Sequence, residues 1–242
     1  MYLGVKKFIS NYKEPFDREG KATKKAKANL KDRGEKATGE ALIEEIDLVL
    51  AEWDEKTQLG ENAHVIIHER EMKKIPNAIY TQYVKHEESD GEMDAQLESN
   101  LIRGNTSFEK KIVSNHHHLI GYADKVEVSK NGYINIEDYK TFNVLYRTGS
   151  FTMDNGFKVQ SKYFFSPINH IEDCNYNEAC LQLSIYMYLL WTYNKVLKPG
   201  KLYIRHVKLT DEGNIIHEEL IEVPFLRDEV KALLKNKKLI NG

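Results

Sequence analysis

The chain has 242 residues, 41% of them hydrophobic and 30% charged, and its 35 basic and 37 acidic side chains leave a net charge of −2. That composition describes a soluble globular chain and excludes a fibrous or low-complexity one, while the near-neutral charge decides nothing about nucleic acid, for which distribution matters. No apolar run is long enough to span a membrane, and two cysteines, Cys174 and Cys180, are too few for an iron–sulfur cluster held by four thiolates.

Residues 1–17 contain Phe8, Ile9, Tyr12 and Phe16, an irregular apolar start that should pack onto the body. Met1 to Lys7 offers no signal-peptide core, so a cytoplasmic location is expected. From about Arg18 to Lys36 the pattern is helical and basic, with Gly34 as the stop. Lys21, Lys24 and Lys25 head this run, which reads either as a solvated helix face or as a phosphate-contacting patch. Thr38 then reads as an N-cap, followed by apolar residues at helical spacing from Ala41 to Trp53. Gly60-Glu-Asn-Ala-His64 begins or continues a helix that Pro76 ends. His64 and His68 are four apart and share a face, but the order His-Glu-x-x-His of zinc proteases is missing.

Residues 77–105 are acidic and loop-like, with at most a helix between Asp94 and Leu101. Phe108 to Val113 is a strand candidate carrying Glu109, and His116-His117-His118 joins it to the next strand. Leu119–Val128 and Tyr133–Thr141 are β-branched and aromatic runs separated by Asn131-Gly132, a strong hairpin signal. Each carries an acid in apolar surroundings, Asp124 in the first and Asp138 in the second. A buried carboxylate needs a partner, and two carboxylates with Lys140 close by make a cage for a hard divalent cation. Asp138 and Lys140 are two apart on one strand face, with Tyr139 on the other. Such a group suits phosphodiester hydrolysis. The bland alternative is a surface ion pair on an edge strand, of little energetic weight.

Residues 142–175 form a long aromatic-rich segment of the kind that is usually either functional or disordered. Asn177 to Leu197 is a helix stopped by Pro199-Gly200. Leu202–Leu209 and Ile215–Val223 flank Asp211-Glu-Gly-Asn214 as a second hairpin, and Phe225–Leu239 closes the chain as a basic amphipathic helix. The order predicts one α/β domain: a helical N-terminal part over 1–76 and an α/β core over 106–242.

These residues resemble the PD-(D/E)XK nuclease superfamily, in its RecB-like branch. Gly121-x-x-Asp124 is similar to the branch's second motif, and Asp138-Tyr139-Lys140 to its Asp-x-Lys motif. Gln182-x-x-x-Tyr186 and Gly60-x-x-x-His64 resemble two further motifs, and all four fall in the family order. The resemblance implies a restriction-endonuclease-like mixed β-sheet flanked by helices, and a deoxyribonuclease, expected to be an exonuclease of replication, recombination or repair. It implies that His64, with His68 as its competitor, and Asp124, Asp138 and the Tyr139 carbonyl hold one or two Mg²⁺ or Mn²⁺ ions. Lys140 would orient the attacking water or neutralise transition-state charge, with Glu109 a lesser candidate acid. Gln182 and Tyr186 would position the DNA strand or the lysine. DNA is the implied partner, with a replication or recombination protein as a possible second, in a bacterial or phage-infected cell. The rival expectation is a catalytically silent DNA-binding or assembly protein that keeps the fold.

Overall fold

A computed structural model describes residues 2–75, 77–80, 101–142, 144–152, 158–159 and 161–240. Pro76, the expected turn at Ser89-Asp90-Gly91 and the expected helix from Asp94 lie wholly or mainly outside them. The fold is mixed α/β. Among the described residues its main sheet has seven strands: β1 (Leu3–Gly4), β2 (Ile79–Tyr80), β3 (Thr106–Ser114), β4 (Leu119–Val128), β5 (Tyr133–Lys140), β8 (Lys198–Leu209) and β9 (Ile215–Val223). A small separate ladder joins β6 (Phe151–Thr152) and β7 (Lys158–Val159). The helices are α1 (Val5–Ser10), α2 (Arg18–Asp32), α3 (Gly39–Lys74), α4 (Asn175–Tyr193) and α5 (Arg227–Ile240).

The sheet order is β2-β3-β4-β5-β8-β9, with β1 joined to β4. Strands β3, β4 and β5 form an antiparallel meander, and β8 and β9 an antiparallel hairpin. β5 and β8 run parallel, which requires a crossover, and α4 lies in that connection. In the β4–β5 turn Gly132 takes the left-handed backbone (φ 81°) and Asn131 does not. The Gly132 N–H donates to Ser129 O at 2.9 Å, the pattern of a type I turn closed by a left-handed glycine.

One face of the sheet is covered by α1, α4 and α5. α4 is buried on every side from Ala179 to Met187, because it lies between the sheet and the two other helices. α5 buries Val230, Leu233 and Leu234, the one-sided stripe of a surface helix. The opposite face carries a smaller cluster of Ile67 from α3 with Tyr139 and Val207.

Several boundaries differ from expectation. α3 is a single helix of 36 residues, about 54 Å long. Its first half packs on α2 through Ala22, Ala26 and Val49, and its second half reaches the sheet. The start of the chain packs onto the body and also adds an edge to the sheet: Leu3 and Gly4 pair with β4, and Val5, Phe8 and Ile9 of α1 enter the main core. α4 ends at Tyr193 with Asn194 as its cap, and Pro199-Gly200 lies in β8 rather than stopping the helix. A proline is tolerated at the start of a strand, where few ladder bonds are lost.

Two motif glycines are sites of close approach. A Cβ on Gly121 would lie 2.5 Å from Cε1 of Tyr186, and one on Gly60 would lie 2.7 Å from Oγ1 of Thr141. The first brings α4 down onto β4, and the second brings α3 onto the end of β5. Gly121→Ala therefore overpacks a buried ring and should cost about 1–3 kcal/mol. A thermal melt several degrees below the parent's is the expected result, and an unchanged melt would show that the ring has room.

Candidate metal centre

The chemistry gathers where β4 and β5 part. β4 and β5 are paired from Val128/Ile134 to Lys125/Glu137 and no further. The Tyr139 N–H beyond that point donates instead to Oδ2 of Asp124. Asp124 is thus a mid-strand carboxylate that takes over a ladder bond, and it is 7% exposed. Asp138 is buried on the α4 side of β5. Its Oδ2 lies 2.5 Å from Nζ of Lys140, and its Oδ1 accepts from Nε2 of Gln182 at 3.3 Å. Lys140 also donates to Oε1 of Gln182 at 3.1 Å, and Gln182 donates to the Tyr186 hydroxyl at 3.1 Å. Gln182 and Tyr186 are buried: Gln182 bonds both the carboxylate and the lysine, and Tyr186 bonds Gln182.

On the other side, α3 presents His64 and His68 one turn apart. Nδ1 of His64 is 3.9 Å from Oδ1 of Asp124, and its ring interacts with the Tyr139 backbone. His68 is deeper: its Nδ1 is 3.1 Å from Oε1 of Glu109, and its Nε2 is buried with no partner among the described residues. Glu109, on β3, has a left-handed backbone (φ 48°), rare for a residue with a side chain. His68, Glu109 and Asp124 each offer a ligand atom within 4.8 Å of one another. Asp138 and His64 are adjacent to this group but not members of it. Of the two histidines that share this helix face, His68 rather than His64 lies in this group, a choice that helical spacing leaves open because it reports a face and not a depth.

The electrostatics follow from burial. Desolvation, reinforced by the Asp138 and Glu109 charges, pushes Asp124 well above its ordinary value. Burial and Asp138 push Glu109 up to about 7. Burial lowers His68 to about 4 and lowers His64 as well, leaving both imidazoles neutral, as metal ligands must be. Burial opposes the Lys140 ammonium, but Asp138 and Asp124 outweigh it and keep it charged. Two buried carboxylates and the half-buried Glu109 share one ammonium, and the raised pKa values of Asp124 and Glu109 express a crowding of acids that a cation would relieve. With an unpartnered imidazole nitrogen beside them, the donor set fits a divalent cation.

Other expected residues lie elsewhere. Lys24 is exposed on α2, Lys25 pairs with Glu52 at 2.7 Å, and Nζ of Lys21 sits 4.2 Å from the centroid of the Phe16 ring. Cys174 and Cys180 are buried free thiols. Among the described residues no helix is long and apolar enough to cross a membrane.

No protein-family model matches the chain, and no curated protein does. Among solved structures it is similar to one described as the crystal structure of SSO0001, with a TM-score of 0.36 and 14% identity over 99% of this chain and 76% of that one. Likeness at that level assigns neither a family nor an activity.

Two outcomes test the centre. Mn²⁺ should raise the melting temperature of the parent, by an amount that grows with concentration, and Asp124→Asn should abolish the rise. In EDTA, Asp124→Asn should melt higher than the parent, because it relieves the carboxylate crowding. The second test is pH dependence in EDTA against Glu109→Gln. Glu109 is raised from 4.5 to about 7, so the folded state binds its proton more tightly, and its contribution is lost as pH rises between those values. His68 is lowered from 6.5 to about 4 and acts oppositely, gaining stability as pH rises. The parent should therefore lose stability relative to Glu109→Gln between about pH 4.5 and 7; parallel melting curves would disprove the assignment.

Proposed function

We propose that this chain is a divalent-metal-dependent deoxyribonuclease of the PD-(D/E)XK superfamily, RecB-like branch, with the restriction-endonuclease-like sheet that this implies. The observation that carries the reading is the position of Lys140. Its ammonium is bonded to Asp138 and Gln182, beside Asp124, at the point where β4 and β5 part.

Asp124, Glu109 and His68 would hold the cation, with Asp138, His64 and the Tyr139 carbonyl next to them. A bound ion supplies Lewis acidity and makes water acidic enough to attack a phosphodiester near neutral pH. Imidazole in the donor set favours Mn²⁺ over Mg²⁺, which prefers an all-oxygen shell. Lys140 stands fixed where charge grows on the phosphoryl oxygens, and a preorganised cation in a site shielded from water is worth far more than one in solvent. Asp138 and Gln182 keep that ammonium aimed. Tyr186 supports Gln182 from behind, and Gly121 makes room for its ring. Strand grip would come from the exposed side of α2, including Lys21 and Lys24, and should weaken as salt rises. Lys25 contributes less, being engaged with Glu52.

End-labelled linear and closed-circular DNA, single- and double-stranded, are incubated with Mg²⁺, Mn²⁺ or EDTA. Metal-dependent loss of linear DNA is expected, with circles spared if the enzyme needs an end. Lys140→Ala should lower the rate by about 10²–10³-fold, the usual cost of removing one electrostatic stabiliser. DNA binding without cleavage under any metal would replace the enzyme by a silent binding protein.

A further inference from the structure

A second feature lies outside the metal centre. Between the β3–β4 turn, the last turns of α4 and α5 runs a groove of about 640 Å³, a size that accommodates a small ligand. Its rim carries Lys231 and Lys235 from α5 and His116 and His117 from the turn. Tyr188 and Tyr193 line it from α4, over a floor that includes Leu189 and Leu234. Among the described residues no carboxylate lines it.

Three observations say what such a groove takes. Lys231 and Lys235 are four apart on one helix, a like-charge spacing that costs stability unless an anion relieves it. The only ion pair among the described residues that involves either is Lys231 with Asp228 at 3.6 Å, an exposed contact of little weight. The rim is also held in place: Nζ of Lys237 donates to the carbonyls of His117 at 2.5 Å and His118 at 3.2 Å, tying the histidine turn to α5. A cationic rim around tyrosines and aliphatic side chains suits an anion with a flat, apolar body.

We propose that the groove binds a nucleotide unit, phosphate at the Lys231–Lys235 rim and base against the tyrosines, apart from the metal centre. The choice of a nucleotide among aromatic anions rests on the nuclease reading. Tyr193 is eleven residues beyond Gln182 on α4, about 16 Å along the helix, so the groove and the centre are separate sites on one rigid element.

The test is fluorescence anisotropy of a short 5′-labelled oligothymidylate in EDTA, where nothing is cut. The double variant Lys231→Glu/Lys235→Glu should bind at least about tenfold more weakly, with a salt slope lower by about 1.4 for two lost phosphate contacts. Tyr193→Ala should weaken binding with the slope unchanged. Both lysines are exposed, and an unaltered melt of the variants checks that the fold is kept. Competition by dTMP would show that one nucleotide suffices; its failure, with binding still dependent on the lysines, would make a strand the ligand. Equal competition by inorganic phosphate, unchanged affinity in the double variant, or no binding by the parent would each overturn the site. Cleavage by a parent whose binding ignores the lysines would sink the groove and spare the nuclease. Lysine-dependent binding without cleavage would do the reverse.

Discussion

Everything at this centre depends on how buried negative charge is accommodated. Asp124, Asp138 and Glu109 come together under helices that exclude most water, and each unpaired carboxylate there would be very costly. Partial relief comes from within the chain. The Tyr139 N–H, released from the sheet ladder, goes to Asp124, and Lys140 and Gln182 go to Asp138. Among the described residues Glu109 is paired with the His68 imidazole alone, whose depressed basicity leaves it a weak partner. The local structure is therefore incomplete in a particular sense: its crowded carboxylates and its unpartnered imidazole nitrogen would both be satisfied by one cation.

Holding α3 against the sheet is a separate problem, and an ion network on the far face of β5 solves it. Arg205 on β8 bonds Glu137 on β5 and Glu218 on β9, while Arg70 on α3 grips Glu218 with two bonds of 2.7 Å. Glu71, also on α3, lies 3.6 Å from Lys125 on β4 and 4.0 Å from Arg205. One helical turn is thus tied to four strands, immediately beyond His68. Removing the Arg205 guanidinium would strand the buried Glu137 carboxylate, where a broken ion pair costs about 3–5 kcal/mol. The network's contribution to the centre is the height of α3: it fixes how far His64 and His68 reach toward the carboxylates.

Much of this was legible in the sequence, for identifiable reasons. Strand alternation has a period of two, so Asp138 and Lys140 had to share a face, and the hairpin signal at Asn131-Gly132 placed β4 beside β5. Gly121 and Gly60 were visible as motif glycines, although only the packing of Tyr186 and Thr141 explains them. The depth of the two histidines was not legible, because helical spacing gives a face and not a distance. Nor was the fate of Lys25, which a basic run describes as free and Glu52 in fact engages. The ion network was invisible for the same reason: its members are scattered from Arg70 to Glu218, and only the sheet order brings them together.

The backbone at Glu109 links these levels. In a regular strand Phe108 and Ile112 would point to the same side. Phe108 instead packs on His68 under α3, whereas Ile112 joins the core beneath α4. The same change occurs opposite, where Lys125 faces Glu71 and Ala123 lies in the α4-side core. The register of β3 and β4 is the same on both sides of this point, so the strands exchange faces without slipping. The left-handed φ of Glu109 sits at the exchange, with Asp124 across from it. A residue where a strand changes face belongs to neither side layer, and its side chain can be reached from both. That is how Glu109 and Asp124 meet His68 from one layer while feeling Asp138 from the other. Backbone strain of this kind costs about 1–3 kcal/mol and persists where the surroundings over-determine it. Here it sets two carboxylates between the helical layers, which uninterrupted alternation would have assigned to one side or the other.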